Sequence, residues 1–368
     1  MSRKLLSLSI SAALLGGTAF ADVPKVAVDI APVHSLVARV MEGIGAPSLI
    51  VQPGASPHEY SLRPSEAAAL QEADLVFWMG EDLAPWMEEA VKTLATDAKV
   101  TAFLEIEGTN LLEFREGALF EAHDHGDHSD EDHAAHDDHG HDDHDHAEDK
   151  EHGHDDHGDG DHAGHDGHDK HGDADHAAHD EHDYEEHAGH DDHDHHAHGD
   201  HDPHAWLSLK NASTWLNVIA GQLSAADPEN AGTYFANADA ARTEIQALAS
   251  EVSATLDPVR GGSFIVFHDA YQYFETDFDF PASGAISLGD ASDPSPARIA
   301  EIQGRIREEG INCVLAEPQF NPGIVATVLD GTEAKTGVID PLGATLEPGA
   351  ALYPKLIANM AKTLADCL

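Results

Sequence analysis

The sequence predicts an α/β fold of two lobes, each built on a parallel sheet, joined by a long helix. Three observations carry that prediction. From Lys25 onward, apolar runs of strand length alternate with helical stretches, which is the pattern of a parallel sheet covered on both faces. After a long Ala-rich helical stretch over residues 228–256, the alternation starts again. Between residues 121 and 201 the order is broken by a tract with almost no apolar residue, which reads as a disordered insertion in the first lobe.

Taken in order, residues 1–21 read as a signal peptide outside the fold. Arg3 and Lys4 give a basic start, residues 5–15 an apolar stretch, and Ala19-Phe20-Ala21 a small-x-small cleavage pattern. The apolar stretch is too short to anchor in a bilayer, no later run is long enough to span one, and no Cys follows the cleavage site to accept a lipid. A soluble exported protein beginning at Asp22 is expected. A bacterial periplasm suits the short, weakly charged signal, and another secreted context stays open.

The first lobe is expected over residues 22–226. It starts with a strand at 25–29, an apolar-periodic helix at 33–43 after Pro32, and a strand at 49–51. A turn-rich loop follows, Pro53-Gly54-Ala55-Ser56-Pro57-His58. Arg63-Pro64-Ser65-Glu66 opens a helix that runs to about residue 73. A strand at 75–79, a helix at 85–94 and a strand at 99–103 complete the part before the tract, and 209–224 is helical beyond it. Residues 227–257 form the linking helix, a strut between lobes. The second lobe, 258–368, repeats the alternation: strands at 263–267 and 285–288, helix 296–309, strand 313–316, helix 323–329, strand 336–339 and a final helix at 352–364.

The tract holds 26 of the 30 histidines and 31 Asp and Glu against two basic residues, Lys150 and Lys170, a net of −29. Neutral imidazole is the commonest protein ligand for zinc, copper and nickel, and carboxylates are the next donors available. Such a stretch can hold many divalent cations weakly, so its composition points to a transition metal. Removing the tract's −29 from the formal −50 leaves −21. An acidic remainder argues against nucleic acid or an anionic membrane as partner and suits a cation. In an oxidising compartment, the only two cysteines, Cys313 and Cys367, most simply form a disulfide. It would staple the C-terminal helix to a strand and contribute about 4 kcal/mol. The competing reading is a two-thiol metal site, which oxidation disfavours.

Outside the tract only His34, His58, His204 and His268 remain. His58 lies in the loop after a strand, His268 ends the apolar run Phe264-Ile265-Val266-Phe267, and Asp340 ends Gly337-Val338-Ile339. Open α/β sheets bind ligands beyond the carboxyl ends of their strands, so three such donors can meet in a cleft between lobes. His204, in Asp202-Pro203-His204-Ala205-Trp206, has a plausible approach to the same place. Three imidazoles and one carboxylate would complete a tetrahedral zinc shell. Each residue has a plainer alternative: a surface role for His58, an interior hydrogen bond for His268, a cap on the following turn for Asp340. His34, at the start of an amphipathic helix, reads as structural. Glu317, after Val314-Leu315-Ala316, is either an orienter of a ligand or a solvent-facing cap. A zinc hydrolase is a rival function, but Leu62 stands where a zincin would need its second histidine after His58-Glu59. No Ser-His-Asp grouping or Gly-rich phosphate loop appears either.

Four stretches carry a resemblance: Gly54-Ala55-Ser56-Pro57-His58-Glu59-Tyr60-Ser61-Leu62-Arg63-Pro64-Ser65, Asp202-Pro203-His204-Ala205-Trp206-Leu207, Phe267-His268-Asp269-Ala270-Tyr271 and Leu315-Ala316-Glu317-Pro318-Gln319-Phe320. In this order, and with a His/Asp insertion before the second, the chain resembles the zinc-binding, ZnuA-type members of the cluster A-I solute-binding proteins, which serve ATP-binding-cassette importers. The resemblance implies two Rossmann-like lobes, a rigid linking helix and a metal bound between the lobes. It places the metal histidines at His58, His204 and His268, with Asp340, in Ile339-Asp340-Pro341-Leu342-Gly343, as the carboxylate. Some zinc members carry a Glu just before the first histidine, where this chain has Pro57. Manganese members resemble the pattern but have Glu at the position of His268. Three imidazoles and at most one carboxylate favour zinc over manganese, which prefers more oxygen donors, while copper(II) and nickel would also bind such donors. The resemblance implies one tight interlobe Zn2+ delivered to an inner-membrane permease. The tract, ending three residues before His204, is expected to hold weaker ions that feed that site, the alternative being a tolerated disordered insertion. A monomer without membrane insertion or nucleic acid is expected. A metal buffer or chaperone acting without a transporter is the alternative.

Overall fold

The computed structural model describes residues 23–115, 117, 120, 201–287 and 294–368. The expected signal segment, the tract up to residue 200 and the end of the strand expected at 285–288 fall outside them. Among the described residues the chain runs β1 (Val26–Val28), α1 (Ala31–Val40), β2 (Ser48–Leu49), α2 (Pro64–Gln71), β3 (Leu75–Trp78), α3 (Pro85–Leu94) and β4 (Lys99–Ala102). Beyond the tract come α4 (Leu209–Ala226) and α5 (Ala231–Leu256). The second half is β5 (Phe264–His268), α6 (Gln272–Phe278), β6 (Gly284–Ser287), α7 (Pro296–Glu309), β7 (Cys313–Ala316), α8 (Pro322–Leu329), β8 (Lys335–Val338) and α9 (Leu352–Cys367).

Both sheets are wholly parallel and share one topology, β2-β1-β3-β4 and β6-β5-β7-β8. Central strands β1, β3 and β5 are buried at every position and apolar throughout except for His268 at the end of β5, as expected of strands covered on both faces. Edge strands β4 and β8 leave several positions exposed and begin with Lys99 and Lys335. Helix starts follow local chemistry. Proline occupies the first turn of α1, α2, α3, α7 and α8, where its missing N–H costs nothing. Ser208, Ser295 and Asn321 cap α4, α7 and α8 with their side-chain oxygens. Gly310, at φ +67°, ends α7 in the left-handed region that glycine enters without strain.

In each sheet the strand order reverses beside the first strand, between β1 and β3 and between β5 and β7, and the two places are filled differently. In the first, Asp29 follows β1 with its side chain buried; it accepts from Ile30 N and from Met79 N, both at 2.7 Å, and so bridges the ends of β1 and β3. In the second, His268 ends β5 and Glu317 follows β7, leaving the pair at the mouth of the crevice. Helix α5 is about 39 Å long at 1.5 Å per residue and packs against α1, α4 and α9. Cys313, at the start of β7, is bonded to Cys367, the last residue of α9, as the oxidising-compartment reading expects. Helix α6 was not anticipated from the sequence. No helix among the described residues is long and apolar enough to cross a membrane.

Candidate metal centre

The loop after β2 carries His58 toward the segment that precedes α4, where His204 begins a short 3-10 turn, Ala205–Leu207. Both meet His268 at the end of β5. One ring nitrogen from each of the three lies within 4.8 Å of the others, and they form the one such His, Cys or carboxylate group among the described residues. His204 and His268 are buried and His58 half-buried. Their Nε2 atoms, His204 to His268, are 3.4 Å apart. A tetrahedral centre with metal–nitrogen bonds of about 2.05 Å would hold two donor nitrogens about 3.3 Å apart, so this pair is spaced as zinc ligation requires.

Two of the three imidazoles are held from behind by carboxylates. Glu317 Oε1 lies 2.7 Å from His268 Nδ1 and accepts from His268 N at 3.2 Å. Asp202 Oδ1 lies 2.7 Å from His204 Nδ1 and accepts from His204 N at 2.9 Å. With the carboxylates ionised, each Nδ1 carries the proton and each Nε2 presents a lone pair to the pocket. Burial pushes the Asp202 carboxyl up to about 7, against the His204 N–H and the Arg115 charge, which pull it down. Burial, reinforced by the neighbouring Glu317 charge, holds the Tyr271 hydroxyl well above its usual range, so Tyr271 packs beside His268 as a neutral phenol.

The pocket is lined by Ser56, Pro57, Trp206, Gln319 and Phe320 besides the histidines and Glu317. The cavity at its centre is about 10 Å3, enough for one water or ion. Phe320 stacks on Phe267 with ring centroids 4.4 Å apart and presents itself to His268 at 63°. Trp206 Nε1 donates to Pro341 O at 2.8 Å, pinning the wall formed by Pro341 and Leu342 to the turn after His204.

The structure does not bring Asp340 into the histidine group. Its carboxylate faces its own loop: Oδ1 accepts from Leu342 N, Gly343 N and Gln319 Nε2, and Oδ2 from Ala344 N at 2.6 Å. This is the turn-capping alternative read from the sequence. Three backbone donors within four residues of a carboxylate form a nearer and denser set of partners than a pocket beyond the loop. His34 is buried in α1 with Nε2 3.0 Å from Pro47 O, away from the group. Asp202 and Arg115 were not singled out from the sequence. The signal for Asp202 was present in Asp202-Pro203-His204, where an acid two residues before a candidate ligand can fold back on it. Arg115 gave none, because its partners, Asp269 and Glu275, are more than 150 residues away.

Taken together, the two like-wound parallel sheets and the ion-sized pocket at the second sheet's reversal point define a two-lobed α/β solute-binding protein. A family model described as "Zinc-uptake complex component A periplasmic" matches residues 26–367. The chain is 42% identical over 370 residues to the high-affinity zinc uptake system protein ZnuA of Brucella abortus (strain 2308), covering all of this chain and 99% of that one. It is 41% identical over 363 residues to the protein of the same name from Paracoccus denitrificans (strain Pd 1222), covering 98% and 97%. A crystal structure of ZnuA superimposes with a TM-score of 0.64 at 19% identity, over 94% of this chain and 99% of that one. This chain belongs to the ZnuA family.

Proposed function

We propose that this chain is the periplasmic component that captures one Zn2+ between its lobes and delivers it to an inner-membrane ATP-binding-cassette permease. The observation that carries this reading is the convergence of His58, His204 and His268, with Asp202 and Glu317 behind two of them. His58, His204 and His268 are the ligands in this reading, and the fourth position belongs to a solvent molecule, with Asp340 shaping the loop that forms one wall. A cation at this point favours the ionised form of Asp202 and so strengthens the His204 hydrogen bond. The names of the relatives, high-affinity zinc uptake proteins, support zinc as the cargo.

In the same reading, residues 1–21 are a removed signal, 22–226 and 258–368 are the lobes, and 227–257 is the linker between them. The chain acts as a monomer, binds no nucleic acid and does not insert into the membrane. Its histidine-rich tract gathers ions at high effective concentration next to His204, because the tract ends three residues before that ligand. A site tight enough to scavenge releases slowly unaided, so delivery depends on the permease favouring an open state.

Native mass spectrometry under zinc competition tests this on the full protein, on a form lacking residues 121–200, and on His268→Ala in that form. One tight zinc that survives loss of the tract and disappears with His268→Ala is the expected result. Tight binding that vanishes with the tract and ignores His268→Ala would instead make the protein a metal buffer.

A further inference from the structure

We propose that Arg115 is a positioning residue for the metal site. Its guanidinium ties the neck of the histidine-rich insertion to the residue after His268, and so fixes His204 and His268 relative to each other. The inference rests on the metal reading of the three histidines and adds a residue that touches none of them.

The ties run in both directions from one short segment. On one side, Leu112 O accepts from Asp202 N at 2.9 Å, and Glu113 pairs with His201 in an isolated antiparallel bridge. The chain entering the insertion is thus bound to the chain leaving it, immediately before His204. On the other side, Arg115 Nε lies 3.0 Å from both oxygens of Asp269, Nη2 also reaches Asp269, and Nη1 donates to Glu275 Oε2 at 2.7 Å. Asp269 follows His268 directly, and Glu275 lies on α6. Tyr273, also on α6, closes the ring: its hydroxyl accepts from Leu112 N at 3.0 Å and donates to Asp202 O at 2.7 Å. With its amide nitrogen turned toward the acceptors, Gln272 donates to Asp202 Oδ2 and to Glu113 O, both at 3.1 Å.

Tyr273 and Gln272 tie α6 to Leu112, Glu113 and Asp202, but within this ring it is Arg115 that reaches Asp269, the residue next to His268. A planar fork engaging two carboxylates fixes both distance and direction, which a flexible ammonium does not. The cluster is buried, with Asp269 and Glu275 at 7% and 5% exposure. An apolar trio could fill the same space at no worse stability, but it would not orient the backbone at residue 269. Burial alone would depress the Arg115 guanidinium, yet Glu275 and Asp269 more than reverse this, so it stays charged at any pH at which the protein folds.

The test compares wild type, Arg115→Lys, Arg115→Ala and Asp277→Asn as full chains. Asp277 ties α6 to the start of α4 through Ser208 and Leu209 and serves as a control for loss of a structural contact. Three quantities are read: zinc release into a chelator by stopped flow, the absorption bands of the Co2+-loaded protein, and the melting temperature without metal. Arg115→Lys is expected to release zinc about tenfold faster with shifted cobalt bands, and Arg115→Ala faster still. Asp277→Asn should lower the melting temperature and move neither metal readout. Release at the wild-type rate with unshifted bands in Arg115→Lys overturns the proposal, and that variant decides the matter if Arg115→Ala does not fold. A wild type without a tight site, indistinguishable from His268→Ala, would overturn the metal reading and this inference together.

Discussion

An imidazole offers a metal whichever nitrogen its other hydrogen bond leaves open, so the atoms behind a ligand decide how well it binds. Glu317 and Asp202 pair with the Nδ1 atoms of His268 and His204, whereas Asp340 holds its own loop and Gln319. The contrast is measurable. Glu317→Ala should weaken zinc binding by about 10- to 100-fold while the protein stays folded. Asp340→Ala should change zinc affinity by no more than a few-fold but cost about 1–3 kcal/mol of stability, because the backbone N–H groups at 342–344 lose their acceptor. Competition titration and urea unfolding of both variants separate the two effects, and equal zinc losses would show that Asp340 is a ligand after all. The three histidines were legible because so few lie outside the tract and two of those stand next to strand ends. Whether Asp340 turned toward the pocket or its own turn was not legible, since Asp340-Pro341-Leu342-Gly343 serves both uses equally well.

At the scale of elements, the alternation of strand and helix was readable because it depends on local runs: apolar β1, β3 and β5, prolines at helix starts, Ser and Asn caps. Helix α6 was not, because its seven residues are too few to show a period and its place depends on distant partners. Tyr273 reaches Leu112 and Asp202, Glu275 reaches Arg115, and Asp277 reaches Ser208. The end of β1 hides a titration in the same way. Burial pushes Asp29 up to about 7 from 3.8, although the N–H groups of Met79 and Ile30 oppose it. The native state therefore binds a proton there that the unfolded chain has already released. The resulting stability is fully present below about pH 4, declines as pH rises and is lost above about pH 7. Its slope approaches ~1.4 kcal/mol per pH unit. In Asp29→Asn that slope should vanish, so the stability advantage of wild type over the variant should be largest near pH 4–5 and shrink toward pH 8. Urea unfolding of the pair across that range checks this; a constant difference would mean Asp29 is ionised throughout.

For the molecule as a whole, the sequence suggested a single strut, α5, but the structure has a second. Helix α9 closes the chain against α1 and α5 as well as β8, and the Cys313–Cys367 bond pins its far end to β7. At its near end, Ser35 Oγ on α1 accepts from Tyr353 N at 2.9 Å and donates to Ala350 O, and the Tyr353 hydroxyl donates to Trp206 O. One apolar cluster runs unbroken from Val28 and Val37 through Trp215, Ile245 and Tyr353 to Phe264 and Leu315. Wide hinge opening would carry much of that surface into water, so metal loading should act on loops and leave the struts alone. Hydrogen exchange of the full protein with and without zinc reads this directly. Amides of α5 and α9 are expected to be equally slow in both states, since their opening is tied to global unfolding. Protection gained on loading should be confined to the segments at 50–63, 201–208, 317–321 and 340–344. Zinc-dependent protection along α5 or α9 would mean that the lobes separate in the empty protein and that the continuous core is broken before the metal arrives.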